Sequence, residues 1–160
     1  QVCFLLNGYY RLYLKLFIVK GIFFIMQTES ITIHATYDDI LLPGVHLREM
    51  LTAHEVAEET IKSCEGALSK LLKNIVDFAY SKDSQKLITV SITYNNSGVY
   101  IETQDEGLPI EFSVNKVIEA KNLQPASVIE EQAPTQKDML DEVWYEVDMG
   151  KNIWQLVKYF

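Results

Sequence analysis

Lys70 and Asn74 stand one helical turn apart in the stretch from Ala67 to Tyr80, ALSKLLKNIVDFAY, and put an ammonium and an amide side by side. They lie on the flank of an apolar stripe, Ala57, Ile61, Cys64, Leu68, Leu71, Ile75 and Phe78, spaced by fours and threes as the buried face of a helix requires. A polar pair beside such a seam is either solvated there or forms the floor of a site. A second group with chemical potential is Asp105-Glu106-Gly107-Leu108-Pro109, a turn at a strand end, where function commonly sits. The plain readings are a helix-surface Asn, a strand-ending Asp and a turn Gly followed by Pro. His34, His46 and His54 have no ligand spacing, and the sequence holds no Walker A loop, no Gly-x-Ser-x-Gly elbow and no zinc signature.

The elements that would position these groups follow from periodicity. Ile31, Ile33, Ala35 and Tyr37 alternate with polar residues as a half-buried strand. Leu42-Pro43-Gly44 breaks the chain before a short helix over Val45 to Leu51. Thr52 is the expected cap of a long helix running to about Tyr80, with Gly66 as a point where it could bend. KLITVSITYNNSGVYIETQ then alternates around Asn-Asn-Ser-Gly and predicts a hairpin, with Ile88, Val90 and Ile92 on one face, continued by Val99 and Ile101. Regularity is lost from Ile110 to Pro134, apart from an amphipathic piece near Val114 to Ala120. A helix is expected around Thr135 to Glu142, and VWYEV faces NIWQLVKYF across Asp148 to Lys151 in a closing hairpin. Trp144, Tyr145 and Trp154 alternate there as packing residues, or as a partner surface if one face is exposed. The order predicts an α/β two-layer sandwich, helices on one face of a mixed, mainly antiparallel sheet.

The 160 residues are one domain's worth, and 48% hydrophobic against 22% charged residues describes a globular chain. Cys3 and Cys64 make no disulfide framework, so a reducing cytoplasm is the expected compartment. Residues 1–25 are unlike the rest: apolar, aromatic and without an acid. Arg11, Lys15 and Lys20 interrupt them too often for a membrane span, and neither the basic start nor the cleavage site of a signal peptide is present. An amphipathic membrane-surface helix is one reading. The other is that Met26 is the initiator and residues 1–25 are translated upstream sequence. The fold expectation therefore concerns residues 26–160. Those three bases are the only charges in the first 25 residues, so the remainder sets 11 of the 14 bases against all 22 acids and carries -11. Such a surface repels nucleic acid and favours partners with basic patches.

Three pieces in this order resemble the ATP-binding domain of the anti-sigma factor serine kinases, within the gyrase, Hsp90, histidine kinase and MutL ATPase superfamily. ALSKLLKNIVDFAY is similar to that family's long helix with its Glu-x-x-x-Asn box and its usual His-Ala-Tyr ending. DEGLP matches Asp-x-Gly-x-Pro after a hairpin, and MLDEVWYEVDMGKNIWQLVKYF is similar to the closing helix end and terminal hairpin. The resemblance implies a Bergerat-type ATPase fold over residues 26–160, with residues 110–134 as a lid over the phosphates. It implies ATP and Mg²⁺ as cofactors, with Asn74 lending an amide oxygen to the ion. Asp105 would accept a hydrogen bond from the adenine amino group, and Gly107, followed by Pro109, would let backbone approach the base. It also implies a sigma factor and an anti-anti-sigma protein of the STAS type as partners, and a homodimer.

Two departures bear on the chemistry. Lys70 stands where the family has the Glu that serves as general base, and a charged ammonium cannot accept that proton. The glycine-rich box falls on Ile129-Glu130-Glu131-Gln132-Ala133-Pro134, which has no glycine and two carboxylates that would repel phosphate. Asp77, a further turn along the helix, could stand in as an acid, and Glu65 lies half a turn off. Three functions remain open: a serine/threonine protein kinase controlling a sigma factor by partner switching, a nucleotide-binding module acting by sequestration, and an interaction domain that binds no nucleotide.

Overall fold

The computed structural model describes residues 2–6, 10–19, 22–109 and 140–160, with side chains from residue 26 onward. The lid region, the segment near Val114 to Ala120, the glycine-free box at 129–134 and most of the helix expected at Thr135 to Glu142 lie outside the described residues. Of that helix, Leu140 and Asp141 are non-helical and Glu142 opens a strand.

Among the described residues seven strands form one sheet: β1 (Val2–Leu6), β2 (Tyr10–Val19), β3 (Ile22–His34), β4 (Leu87–Asn95), β5 (Gly98–Asp105), β6 (Glu142–Asp148) and β7 (Lys151–Tyr159). Their order is β1-β2-β3-β4-β5-β7-β6, and every described pairing is antiparallel, where a mixed sheet was expected. Residues 2–6 and 10–19 are strands instead of a surface helix, and β3 runs unbroken through Met26. Both hairpins have the expected bounds. In the first, the Asn95 side chain accepts from the Ser97 and Gly98 amides at 2.8 and 3.2 Å. In the second, Met149 and Gly150 both take positive φ, 48° and 79°, as a tight two-residue turn demands.

Period-two alternation decides what is buried. Ile31 and Ile33 on β3, Ile88, Val90 and Ile92 on β4, Val99 and Ile101 on β5, and Trp154 and Leu156 on β7 share the inner face. Two helices cover it: α1 (Leu42–Ala53), with Pro43 in its first turn, and α2 (Glu58–Asn74). The α2 stripe of Ile61, Cys64, Leu68 and Leu71 is buried as its spacing requires, and burial pushes the Cys64 thiol up to about 12. The opposite face is polar, with Thr28–Thr93, Ser30–Ser91 and Thr32–Thr89 hydroxyls paired across β3 and β4 at 2.9, 3.1 and 3.1 Å.

The boundaries expected between residues 31 and 80, the single long helix from Thr52 to Tyr80 among them, are corrected by the structure. The strand at 31–37 ends at His34, and α1 is nearly twice the expected length. The chain then breaks at His54 to Ala57, where Glu55 takes φ 56° and the Val56 amide donates to the Leu51 carbonyl at 3.0 Å. Ala57, not Thr52, caps α2, and Gly66 lies inside it without interrupting it. Finally, the α-helix gives way at Ile75–Ala79 to a π-turn, closed by the Tyr80 amide donating to the Ile75 carbonyl at 3.0 Å.

Candidate functional site

The π-turn lies at the sheet end where β5 and β7 present polar residues inward. The alternation that buries Val99 and Ile101 also buries Thr103 and Asp105, and Asp105 pairs across the ladder with Asn152, the first inward residue of β7. Between this strand pair and the end of α2 is a cleft lined by Leu71, Asn74, Phe78, Asp105, Tyr145 and Trp154, among others. It measures about 330 Å³ with its open mouth.

Asp105 is 2% exposed. Its Oδ1 accepts from the Gly107 amide and from Asn152 Nδ2, both at 2.8 Å. Its Oδ2 is buried without a partner among the described residues. Burial raises the carboxyl above its ordinary range, and the bonds from Asn152 and Gly107 pull it back. A buried carboxylate oxygen without a donor is costly, and it fits a ligand that brings an N–H. Asn152 is itself buried; its Nδ2 also reaches the Gly107 carbonyl at 3.1 Å, and its Oδ1 accepts from the Tyr145 hydroxyl at 2.9 Å.

The loop after β5 is clamped to the end of α2. The Leu108 amide donates to the Ala79 carbonyl at 2.9 Å, and a Cβ on Gly107 would stand 2.6 Å from the Ala79 Cβ and 2.8 Å from its carbonyl carbon. Glycine at 107 is thus required by the helix end. Tyr80 ties the same corner: its hydroxyl donates to the Leu87 carbonyl and accepts from the Glu106 amide, both at 2.7 Å. Burial lifts that phenol to about 12.

The structure brings Asn74 and Asp105 to one cleft. It does not bring Lys70 or Asp77 there, and Pro109 stands just beyond the lining residue Leu108. The π-turn accounts for Asp77. Widening the helix carries the lining face from Asn74 to Phe78 and Ala79, and turns Asp77 toward the Tyr37 hydroxyl, which it accepts, and toward Lys82 Nζ at 3.9 Å. Glu65 is held by Arg48, whose Nε donates to it at 2.8 Å. Asn152 and Tyr145 escaped the motif reading, although Asn152 is the one polar residue at an inward position in NIWQLV and could have been found by that phase. The aromatic trio divides: Trp154 is buried, Tyr145 half-buried with its ring 4.6 Å from that of Trp154, and Trp144 61% exposed.

The structure matches the crystal structure of the RsbU and RsbW domains of Rv1364c from Mycobacterium tuberculosis with a TM-score of 0.58 at 18% sequence identity. The likeness shows a shared fold. It covers 82% of this chain and 32% of that one, so the chain spans about a third of its neighbour's length. No family model and no curated protein matches the sequence. The architecture is the α/β sandwich expected from the motif order.

Asp105 gives the cleft lining a carboxylate, an acceptor that would suit the amino group of a nucleotide base. Asp105 Oδ2 is itself buried, so a base would reach it only by the turning of a half-buried lining side chain such as Phe78. For a metal, Asn74 offers one amide, and the described residues contain no cluster of three His, Cys, Asp or Glu. A Mg²⁺ ion would therefore have to arrive with phosphate oxygens. No helix among the described residues is long and apolar enough to cross a membrane.

Proposed function

We propose that this chain is a regulator of the anti-sigma factor kinase type that binds an adenine nucleotide and acts by holding its protein partners, with little phosphoryl transfer of its own. The observation that carries the reading is Asp105, whose buried Oδ2 has no partner among the described residues, in the lining of a cleft that also holds Asn74. The ordered motifs of the sequence and the fold shared with an RsbW-containing protein support it. In this reading Asp105 takes the base amino group and Asn74 lends an oxygen to phosphate-bound Mg²⁺. A bound nucleotide would supply the phosphoryl group, but the carboxylate lining the described cleft, Asp105, is taken by the base in this reading, which leaves no second one there to accept a proton from an attacking hydroxyl. The partners are a sigma factor and an anti-anti-sigma protein in the cytoplasm, with a homodimer as the assembly.

Titration of the full chain with a non-hydrolysable ATP analogue, with and without Mg²⁺, tests the proposal by calorimetry. Saturable binding strengthened by Mg²⁺ is expected. No binding at millimolar analogue sinks it and leaves the second reading, an interaction domain without nucleotide, which the burial of Asp105 Oδ2 favours.

A further inference from the structure

Three side chains from three strands form a hydrogen-bonded relay at the cleft floor. Tyr145 on β6 donates to Asn152 Oδ1 at 2.9 Å, and Asn152 on β7 donates to Asp105 Oδ1 on β5 at 2.8 Å. The arrangement leaves no ambiguity about how the Asn152 amide is turned. Its nitrogen faces three acceptors, Asp105 Oδ1 and the carbonyls of Gly107 and Leu108, the last at 3.5 Å, while its oxygen faces the one hydroxyl able to donate. Asn152 is 3% exposed, so water does not compete for these bonds.

We propose that Asn152, oriented by the Tyr145 hydroxyl, is a positioning residue that occupies one oxygen of Asp105 and presents the other to the cleft as an ionised acceptor. The site then reads a donor, such as the exocyclic amino group of adenine, and rejects a ring carbonyl at that position. This selectivity rests on the nucleotide reading above; the relay itself does not. The physical reason is that a buried carboxyl tends to hold its proton, and a protonated Oδ2 is a donor with the opposite preference. Asn152 and the Gly107 amide supply the bonds that oppose this.

The remaining groups around Asp105 give little help. Glu106 follows it in sequence, and Tyr80 at the end of the π-turn bonds the Glu106 amide and the Leu87 carbonyl. Lys86 and Lys151 share a separate, exposed cleft with Asp105, and neither makes an ion pair with it. Asn74 is the polar group contributed by α2 to the lining of the Asp105 cleft.

The test follows the Asp105 carboxyl by carbon-13 NMR in the full, nucleotide-free chain, alongside analogue binding measured with ATP and with its 6-oxo counterpart ITP. In Asn152→Leu the Asp105 midpoint should rise by about one pH unit, a tenfold change in proton affinity. The preference for the ATP analogue should shrink by about the same factor. Tyr145→Phe keeps the ring against Trp154 and removes only the hydroxyl, and should move both quantities the same way by less. If Asn152→Leu does not fold, Tyr145→Phe decides. Midpoints unmoved in the folded variants overturn the relay, whatever the nucleotide result. Midpoints that move in a chain binding neither analogue uphold the relay and overturn the nucleotide reading. Moved midpoints with an unchanged ATP-to-ITP ratio overturn the selectivity.

Discussion

The two walls of the cleft are built to different standards. On the strand wall, Asp105, Asn152 and Tyr145 are buried or half-buried and bonded in series, and only one Asp105 oxygen is left for a ligand. On the helix wall, the groups with acid or base chemistry have other attachments: Asp77 is taken by Tyr37 and Lys82, Glu65 by Arg48, and Lys70 does not line the cleft. A wall that pays for a buried carboxylate with dedicated donors is arranged to recognise something. A helix flank whose carboxylates pair with neighbouring cations and phenols is arranged to stay folded. If the proposed function holds, recognition and reaction are separable here, and the strand wall is where substitutions should hurt binding.

Asp105→Leu should break the contrast most severely. Deleting the acceptor removes a hydrogen bond to a charged group, worth about 1.5 to 3 kcal/mol, so analogue affinity should fall by about 10- to 100-fold. It also strands the Asn152 amide. Calorimetry reads the affinity, and near-UV circular dichroism shows whether the fold survives. Retained affinity in a folded variant would mean that the base does not meet Asp105.

Next in size is Gly107→Ala. The added Cβ meets Ala79 at 2.6 Å, so either the loop or the helix end must shift, at a cost of about 1 to 3 kcal/mol for overpacking. Urea unfolding should show that loss. Unaltered stability would mean that the loop leaves the π-turn freely, and the two walls would then move independently.

Acid titration separates the walls more finely. The Asp105 carboxyl is raised in the folded chain, mainly by burial, so between its unfolded and folded values the native state binds the extra proton. That contribution to stability is fully present below the unfolded value and is lost as pH rises through the folded one. Asp105→Asn removes it, so wild type should gain stability relative to the variant as pH falls from 7 through the Asp105 midpoint. Urea midpoints taken across that range check the sign. A gap that widens in the other direction would show Asp105 to be stabilised as a carboxylate, with a partner at Oδ2.

The strand wall was half legible in the sequence, and the helix wall was legible as fold but not as geometry. Asp105 and Gly107 could be named because a hairpin of clean alternation runs straight into Asp-Glu-Gly-Leu-Pro, which matches Asp-x-Gly-x-Pro, and Asn74 because it lies on the flank of the buried stripe where the resemblance has the Asn of Glu-x-x-x-Asn. The π-turn left no such mark. Ile75, Val76 and Phe78 suit an α-helix as well as a π-turn, so the expected helical face carried Asp77 toward the cleft when one wider turn carries it away. The break at His54 to Ala57 was hidden for a related reason: the left-handed position is held by Glu55, where glycine or asparagine would have signalled it. Asn152 belongs to no motif, and only its inward phase on β7, opposite Asp105, marks it.

The smallest effect is expected from Lys70→Glu, and it is the substitution that most directly tests what the helix wall can do. Restoring a carboxylate at the family's base position supplies a proton acceptor in the sequence, yet position 70 does not line the cleft. A general base must come within hydrogen-bond reach of the proton it removes, directly or through one water. Analogue affinity should therefore change by no more than about twofold, since an exposed or half-exposed charge outside the site acts on a ligand only through screened solvent. Phosphoryl transfer to an anti-anti-sigma protein, followed with radiolabelled ATP, should stay at background. A clear rise would place residue 70 beside the reacting hydroxyl in the assembled complex, and would make that one exchange the reason the wild-type chain binds without reacting.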